Sequence, residues 1–378
     1  MKKKILFLVN DLSFFISHRL QIAESAVALG YSVFVGYGEL GNCKISFLKK
    51  RNIEVIYIPM DRAGMNPFKE IKSLFLIFKS FSKIKPDIVH LVTIKPYLYG
   101  GIIARIIGVK GVVSSVSGLG TLFIDKKLNA KFLRALLYPI YKYAFNHPNQ
   151  IVIFQNNDDL NEFTKKKILK FSKTIIISGS GVDLKNFVNL EEPFGTPVVC
   201  FAARLIKDKG VYEYISAARL IKKRGINAKF LLAGDLDTKN PTGLNFNEVQ
   251  EIKNEGLIEV LGYHNQISDL YAKSNIICLP SYREGLPKSL IEAAAASRAV
   301  VTTDVPGCRD AILPNKTGIL VPVKNATKLA EAIIWLIQNP SKRVKMGEAG
   351  RELAEEKFQI QKVIENHLII YSDLLGKY

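Results

Sequence analysis

One pattern runs twice along this chain: a short apolar run, a break, an apolar stripe at helical spacing, then another apolar run. In the first half the apolar runs fall at 4–9, 31–36, 53–58, 87–91, 111–115, 151–154 and 175–177, with helical stripes at 15–29, 69–82 and 96–107. A break containing Glu191, Glu192, Pro193, Gly195 and Pro197 follows. The second series then places strands at 198–203, 230–233, 258–261, 276–279 and 299–302, and helices at 212–223, 249–254, 267–273 and 288–297. Residues 326–338, those from 344 onward and 360–375 also read as helical. Strands that alternate with helices pair in parallel by crossover, and the helices cover both faces of the sheet. The chain is therefore expected to be α/β, with two doubly wound, Rossmann-like domains. The expected division is 1–183, a linker at 184–197, a second domain at 198–358, and a final helix at 359–378 long enough to cross back to the first domain. Ligands of such sheets sit beyond the carboxyl ends of the strands, so the loops at those ends are where function is sought.

Two such cores need apolar residues, and 48% of the 378 residues are hydrophobic, which excludes a disordered chain. Cys43, Cys200, Cys278 and Cys308 show no CxxC spacing, so neither a zinc site nor a disulfide framework is expected. The three lysines at 2–4 precede an apolar run too short for a signal peptide, and it is read as a first strand. No stretch approaches the roughly 20 apolar residues of a membrane span. The formal charge of +19 points to anionic partners: nucleic acid, an anionic membrane surface or phosphorylated small molecules. Nucleic acid is set aside, because no reader motif and no basic stripe with stacking aromatics is present.

Three strand ends of the first half carry polar residues: Asn10 to Arg19, with His18 and Arg19 expected at the start of the helix; His90 to Pro96, with Lys95; and Ser114 to Thr121, with Gly118 and Gly120. Each of these residues also fits a helix cap, and His90 also fits a satisfied core histidine. Two basic stretches are amphipathic. One carries Lys69, Lys72, Lys79, Lys83 and Lys85 among Ile71, Leu74, Phe75, Ile77, Phe78 and Phe81. The other carries Lys126, Lys127, Lys131, Arg134 and Lys142 among Leu133, Leu136, Leu137, Tyr138, Tyr141 and Phe145. Such a stripe either faces the sheet or lies in the headgroup region of an anionic membrane, and the surplus of aromatics favours the membrane.

The stretch from Pro280 to Ala293 (PSYREGLPKSLIEA) concentrates the chemistry. Gly285 lets backbone approach a ligand, Pro287 suits a first helical position, and a helix start offers unpaired N–H groups to a phosphate. Glu284 lies ahead of the helix and Glu292 within it, so the two carboxylates can hold different parts of one elongated ligand. Upstream, Arg204 and Lys209-Gly210 close a strand at the same expected sheet edge; Arg is a planar fork and Lys a point charge for phosphate oxygens. Two cations, a helix start and two carboxylates describe a site for a nucleotide-diphosphate sugar, the cations stabilising the diphosphate as it leaves. Asp235-Leu236-Asp237 is a DxD motif, which elsewhere binds metal, but three-residue motifs arise by chance. Arg204 and Lys209 are expected to replace a metal, with Asp237 and Asn240 on a loop bordering the site.

Arg204…Lys209-Gly210 followed by Glu284-x7-Glu292, together with the Gly179–Asp183 loop and Gly318-Ile-Leu-Val, resembles the donor-site motifs of family 4 glycosyltransferases, retaining enzymes of the GT-B fold. The resemblance covers essentially the whole chain. Within the family, Arg62 to Phe68, Gly118-Leu-Gly120 and Ser281 to Gly285 are most similar to bacterial enzymes that extend a lipid-diphosphate-linked glycan, the N-acetylgalactosaminyltransferases of N-glycan assembly among them. The resemblance implies two Rossmann-like domains facing a cleft, a UDP-sugar donor, an α-configured product and no cofactor or metal. It implies contact of Glu284 with the donor sugar, and of Gly285, Leu286, Pro287, Ser289, Glu292, Gly118 and Gly120 with the donor. Where several family members carry a histidine beside the donor sugar, this chain reads Val116-Ser117-Gly118.

Acceptor recognition is expected in the first domain, with Arg19, Arg62, Lys95 and His18 as candidates for a polyprenyl-diphosphate-linked glycan. The expected location is cytoplasmic, peripheral on the inner face of the cell membrane. The alternatives are a GT-B transferase using another UDP-hexose or a soluble acceptor, a nucleotide-sugar epimerase, and a non-catalytic binding protein.

Overall fold

The computed structural model describes residues 2–41, 43–60, 66–119, 128–170, 172–187, 191–237 and 240–376, with the backbone alone for 128–133 and 136. The chain divides into two units, Met1–Ser180 with Gln361–Tyr378, and Gly181–Ile360. In the first unit, β1 (Lys4–Asp11), β2 (Ser32–Glu39), β3 (Ile53–Tyr57), β4 (Ile88–Val92), β5 (Gly111–Val116), β6 (Gln150–Phe154) and β7 (Lys173–Ile176) form one parallel sheet in the order β3-β2-β1-β4-β5-β6-β7. Its helices are α1 (Leu12–His18), α2 (Leu20–Ala28), α3 (Ile45–Lys49), α4 (Pro67–Ile84), α5 (Gly101–Ile107), α6 (Leu128–Ala144) and α7 (Asn157–Lys165).

In the second unit, β8 (Val198–Ala202), β9 (Lys229–Ala233), β10 (Ile258–Gly262), β11 (Ile276–Leu279), β12 (Ala299–Thr303) and β13 (Gly318–Val321) form a second parallel sheet, ordered β10-β9-β8-β11-β12-β13. Its helices are α8 (Val211–Lys223), α9 (Phe246–Glu255), α10 (Ile267–Ala272), α11 (Lys288–Ala295), α12 (Ala326–Gln338) and α13 (Pro340–Leu353). The last helix, α14 (Ile360–Leu375), packs almost wholly with the first unit.

The continuous apolar runs have a direct cause. Ile5 to Val9 are all fully buried, because helices cover both faces of the sheet and no face can be polar. Strand order reverses between β1 and β4, and again between β8 and β11. These reversals are where a doubly wound sheet opens a crevice beyond its carboxyl ends.

Three local features depart from the sequence expectation. The stripe at 15–29 forms two helices. Asp11 caps the first through Ser13 N–H (2.7 Å) and Phe14 N–H (3.3 Å), and the chain leaves helical geometry at Arg19 (φ −134°), whose Nη1 donates to His18 O at 2.8 Å. His18 therefore ends a helix instead of opening one. Pro287 is the residue before α11 and not its first turn, since its ψ of 122° is extended. Residues 318–321 form an edge strand; Gly318 belongs there because a Cβ would lie 2.5 Å from Val300 O.

Candidate functional site

The two loops that carry the second unit's motifs leave neighbouring strands on either side of the sheet reversal. The loop from Ala203 to Gly210 follows β8, and the loop from Pro280 to Pro287 follows β11. They are bonded to each other. Tyr282 N–H donates to Asp208 O at 2.8 Å, and Ser281 Oγ lies 3.0 Å from Asp208 O and 2.7 Å from Glu284 Oε1. Gly210 makes the approach possible: its φ is +75°, and a Cβ there would lie 2.1 Å from Pro280 O.

Lys209 Nζ donates to Glu284 Oε1, with only 20% and 12% of the two side chains exposed. On the other side, Glu284 N–H donates to Pro306 O (3.1 Å), and a Cβ on Gly307 (φ +80°) would lie 2.5 Å from Glu284 O and 2.6 Å from Gly285 O. Glu284 is thus wedged between two loops and tied to a lysine and a serine. That fixes the carboxylate before any ligand arrives, which is what transition-state recognition requires.

Arg204 is held differently. Its Nη1 donates to Asp237 Oδ2 at 2.6 Å, and Leu205 N–H donates to Asp235 O at 3.0 Å. The DxD loop after β9 therefore braces the arginine loop. Among the described residues there is no group of three or more His, Cys, Asp or Glu side chains placed to share a metal ion.

Glu292 stands in the second turn of α11, only 9% exposed. Burial pushes its carboxyl above the ordinary carboxylate range, and Lys288, with Nζ 3.5 Å from Oε1, opposes that shift. A buried carboxylate with one long-range ammonium partner retains acceptor capacity for hydroxyl groups. Leu286 is buried, and Ser289 O accepts from Tyr271 Oη at 3.2 Å.

The first unit's candidates scatter. Lys95 Nζ, at the end of β4, donates to Glu70 Oε1 at 2.5 Å, and Tyr99 Oη donates to Glu70 Oε2 at 2.6 Å. His18 stacks on Phe14 (4.0 Å between centroids), with Nδ1 2.5 Å from Ser17 Oγ. Arg19 is buried beside Tyr371, and burial lowers its guanidinium to about 10. It stands inside the unit, beside Tyr371 of α14, whereas His18 and Lys95 keep partial exposure. His90 is a satisfied core histidine: Nδ1 lies 2.6 Å from Tyr371 Oη and Nε2 2.7 Å from Ser115 Oγ. Gly118 has φ +111°, while Arg62 and Gly120, with Lys126 and Lys127, lie outside the described residues.

Sequence reasoning missed two members of the site. Ser281 was visible inside the motif, but its bond to Glu284 depends on the loop's path. Gly307 follows a proline in the turn after β12, a turn signal that says nothing of which loop it meets.

The chain that carries the Lys209–Glu284 pair and the Arg204–Asp237 pair matches two described families. Residues 183–353 match the family of glycosyl transferases group 1, and residues 4–156 match the glycosyl transferase 4-like family. The chain belongs to these glycosyltransferases. This glycosyltransferase is 28% identical to the N,N'-diacetylbacillosaminyl-diphospho-undecaprenol alpha-1,3-N-acetylgalactosaminyltransferase of Campylobacter jejuni, over 87% of this chain and 88% of the relative. It is 23% identical to the UDP-Gal:alpha-D-GlcNAc-diphosphoundecaprenol alpha-1,3-galactosyltransferase of Escherichia coli, over 86% and 85% of the two chains. The sucrose-phosphate synthase structure from Thermosynechococcus elongatus superposes with a TM-score of 0.79 at 19% identity, covering 100% of both chains, and shows the fold to be GT-B.

Proposed function

We propose that this glycosyltransferase moves an N-acetylhexosamine, with GalNAc from UDP-GalNAc the preferred donor, onto a polyprenyl-diphosphate-linked sugar and keeps the α configuration. The observation that carries the reading is the Lys209–Glu284 pair, locked between loops at the second sheet's reversal, with Arg204 on the same loop as Lys209. The two relatives support the acceptor class, since both are named for undecaprenyl-diphosphate-linked sugars, and one of them supports GalNAc.

Lys209 and Arg204 bind the donor diphosphate and neutralise charge as the bond to UDP breaks; UDP keeps the electron pair, the acceptor hydroxyl oxygen bonds the anomeric carbon, and its proton passes to the departing phosphate oxygen. On donor binding, both cations exchange a carboxylate oxygen for phosphate oxygens, while Ser281 and the close approach of Gly307 keep Glu284 in place to accept from sugar hydroxyls. Glu292 accepts from the ribose. The backbone of Gly285, Leu286 and Pro287, with Ser289, meets the diphosphate and sugar, and Gly118 and Gly120 complete the donor contacts. Acceptor contacts are assigned to Lys95, His18 and Arg62 of the first unit; Arg19, expected among them, is buried beside Tyr371 and is given none. No metal takes part. The enzyme works peripherally on the inner face of the cell membrane.

Mass spectrometry of a polyprenyl-diphosphate-sugar acceptor after incubation with UDP-GalNAc should show the gain of one N-acetylhexosamine, with an α anomeric coupling by proton NMR. A β product, or conversion of the UDP-sugar without acceptor as an epimerase would give, overturns the reading.

A further inference from the structure

Helix α4 has two apolar faces, and the sheet uses one of them. Ser73, Ile77, Phe81 and Ile84 are buried, whereas Phe68 is 84% exposed, Ile71 64%, Phe75 63% and Phe78 42%. The exposed four recur at intervals of three and four residues, so at about 100° per residue they fall within an arc of roughly 80° on the side away from the core. Lys72, Lys79 and Lys83, all exposed, lie along one border of that arc. A helix that only covers a sheet presents a polar outer face. This one presents a stripe of three phenylalanines and an isoleucine edged with positive charge, and contiguous apolar surface of that kind marks an interaction site.

We infer that the outer face of α4 docks on an anionic phospholipid bilayer, the four apolar side chains entering the headgroup–acyl boundary and the lysines meeting anionic headgroups. Charge selects this occupant. The one carboxylate of the helix, Glu70, is turned to Lys95 (2.5 Å) and Tyr99 (2.6 Å), so the border of the stripe carries lysines alone and would repel the same face of a second copy. Several described side chains of the second basic stretch turn inward instead. On α6, Tyr141 and Ala144 are buried, Leu137 packs against the core, and Tyr138 Oη donates to Lys166 O at 2.6 Å.

The Glu70–Lys95 pair also joins the first turn of α4 to a residue assigned to the acceptor diphosphate. A lipid-linked diphosphate at the bilayer surface would thus meet the enzyme where α4 enters. This deepens the acceptor reading above and rests on it for its purpose, though the exposed face stands without it.

Sedimentation of the full chain with vesicles tests the inference. The protein should pellet with phosphatidylglycerol–phosphatidylcholine vesicles, far less with phosphatidylcholine alone, and less as salt rises. Ile71→Glu with Phe75→Glu should cut the partition coefficient by at least about tenfold, with an unchanged thermal melt because both positions are exposed. The chain has one tryptophan, so a Trp335→Phe, Phe75→Trp variant should show a blue-shifted emission on anionic vesicles. No pelleting, pelleting indifferent to the two glutamates, or an unshifted emission overturns it. So does self-association that the two glutamates abolish, since a second copy would then be the occupant. Failure of the transferase reading is separate: it appears as absence of acceptor-dependent UDP release, whatever the vesicles do.

Discussion

Glu284→Gln separates a catalytic role from a structural one at the residue on which the donor site turns. The substitution keeps shape and removes charge. In the fold, Gln can still accept from Lys209 and Ser281, so the loss is that of charge assistance in a pair whose side chains are 20% and 12% exposed. That costs about 1 kcal/mol of stability, or roughly 2–4 °C in melting temperature for a domain of this size. In the reaction, the carboxylate is assigned two bonds to donor-sugar hydroxyls, each worth about 1.5–3 kcal/mol when charge-assisted. Gln keeps one acceptor oxygen, so losing the other bond and the charge assistance of the first removes about 3–4 kcal/mol of transition-state stabilisation, which is a fall of about two to three orders of magnitude in kcat/KM. UDP alone lacks the sugar, so its affinity by calorimetry should hardly change. A variant within tenfold of the unaltered enzyme, or one that loses UDP binding along with activity, refutes the assignment.

Gly307→Ala should lower stability by about 1–3 kcal/mol in urea unfolding, because alanine disfavours φ +80°, and should cut activity by about 100-fold by displacing the Glu284 backbone; stability and rate like the parent's would contradict the wedge. Glu292→Gln should be as stable as the parent, or more so, at neutral pH. A carboxyl whose folded pKa is raised contributes stability below its ordinary value of 4.5 and loses that contribution as pH rises through the raised value, and glutamine removes the dependence. The donor KM should nevertheless rise about tenfold, the worth of one such hydrogen bond; a destabilised variant with an unchanged KM would reverse the assignment. Acid should weaken the first unit. Burial holds His367 down to about 3 and His90 well below its ordinary value, with repulsion from Arg19 added in both and from His367 in His90. The unfolded chain takes up these protons near 6.5 and the folded chain does not, so stability falls below that pH by about 1.4 kcal/mol per pH unit per histidine. Urea unfolding that is flat between neutral pH and about pH 5 would contradict the neutral buried pair.

The sheets were legible because burial on both faces writes each strand as an unbroken apolar run, as at Ile5–Val9 and Ile276–Leu279. The order of those strands was not legible, since β1 and β4 are separated by two other strands in sequence and only the packing makes them neighbours. The break at Arg19 was hidden because Leu12 to Ala28 keeps a nearly continuous helical stripe; what stops the helix is the backbone geometry at the buried arginine, which no periodicity records. At the candidate site, the types and spacing of Arg204, Lys209, Glu284 and Glu292 suggested the proposed chemistry from the sequence alone. Their partners did not: Asp237 reads as a metal motif until Arg204 is seen to hold it, and Gly307 matters only because two carbonyls pass within reach of a Cβ. On α4 the sequence showed more aromatics than one face could use, and the structure shows which ones are left over.

In the proposed reaction, two cations and a fixed carboxylate at the second sheet's reversal handle a UDP-sugar without a metal. UDP release by the purified protein in EDTA tests it most directly, with UDP-GalNAc, UDP-GlcNAc, UDP-Gal and UDP-Glc, each with and without a polyprenyl-diphosphate-linked sugar. Acceptor-dependent release should occur in EDTA, strongest with UDP-GalNAc and lost in Glu284→Gln. Silence in EDTA with activity restored by manganese would contradict it and transfer the chemistry to Asp235 and Asp237.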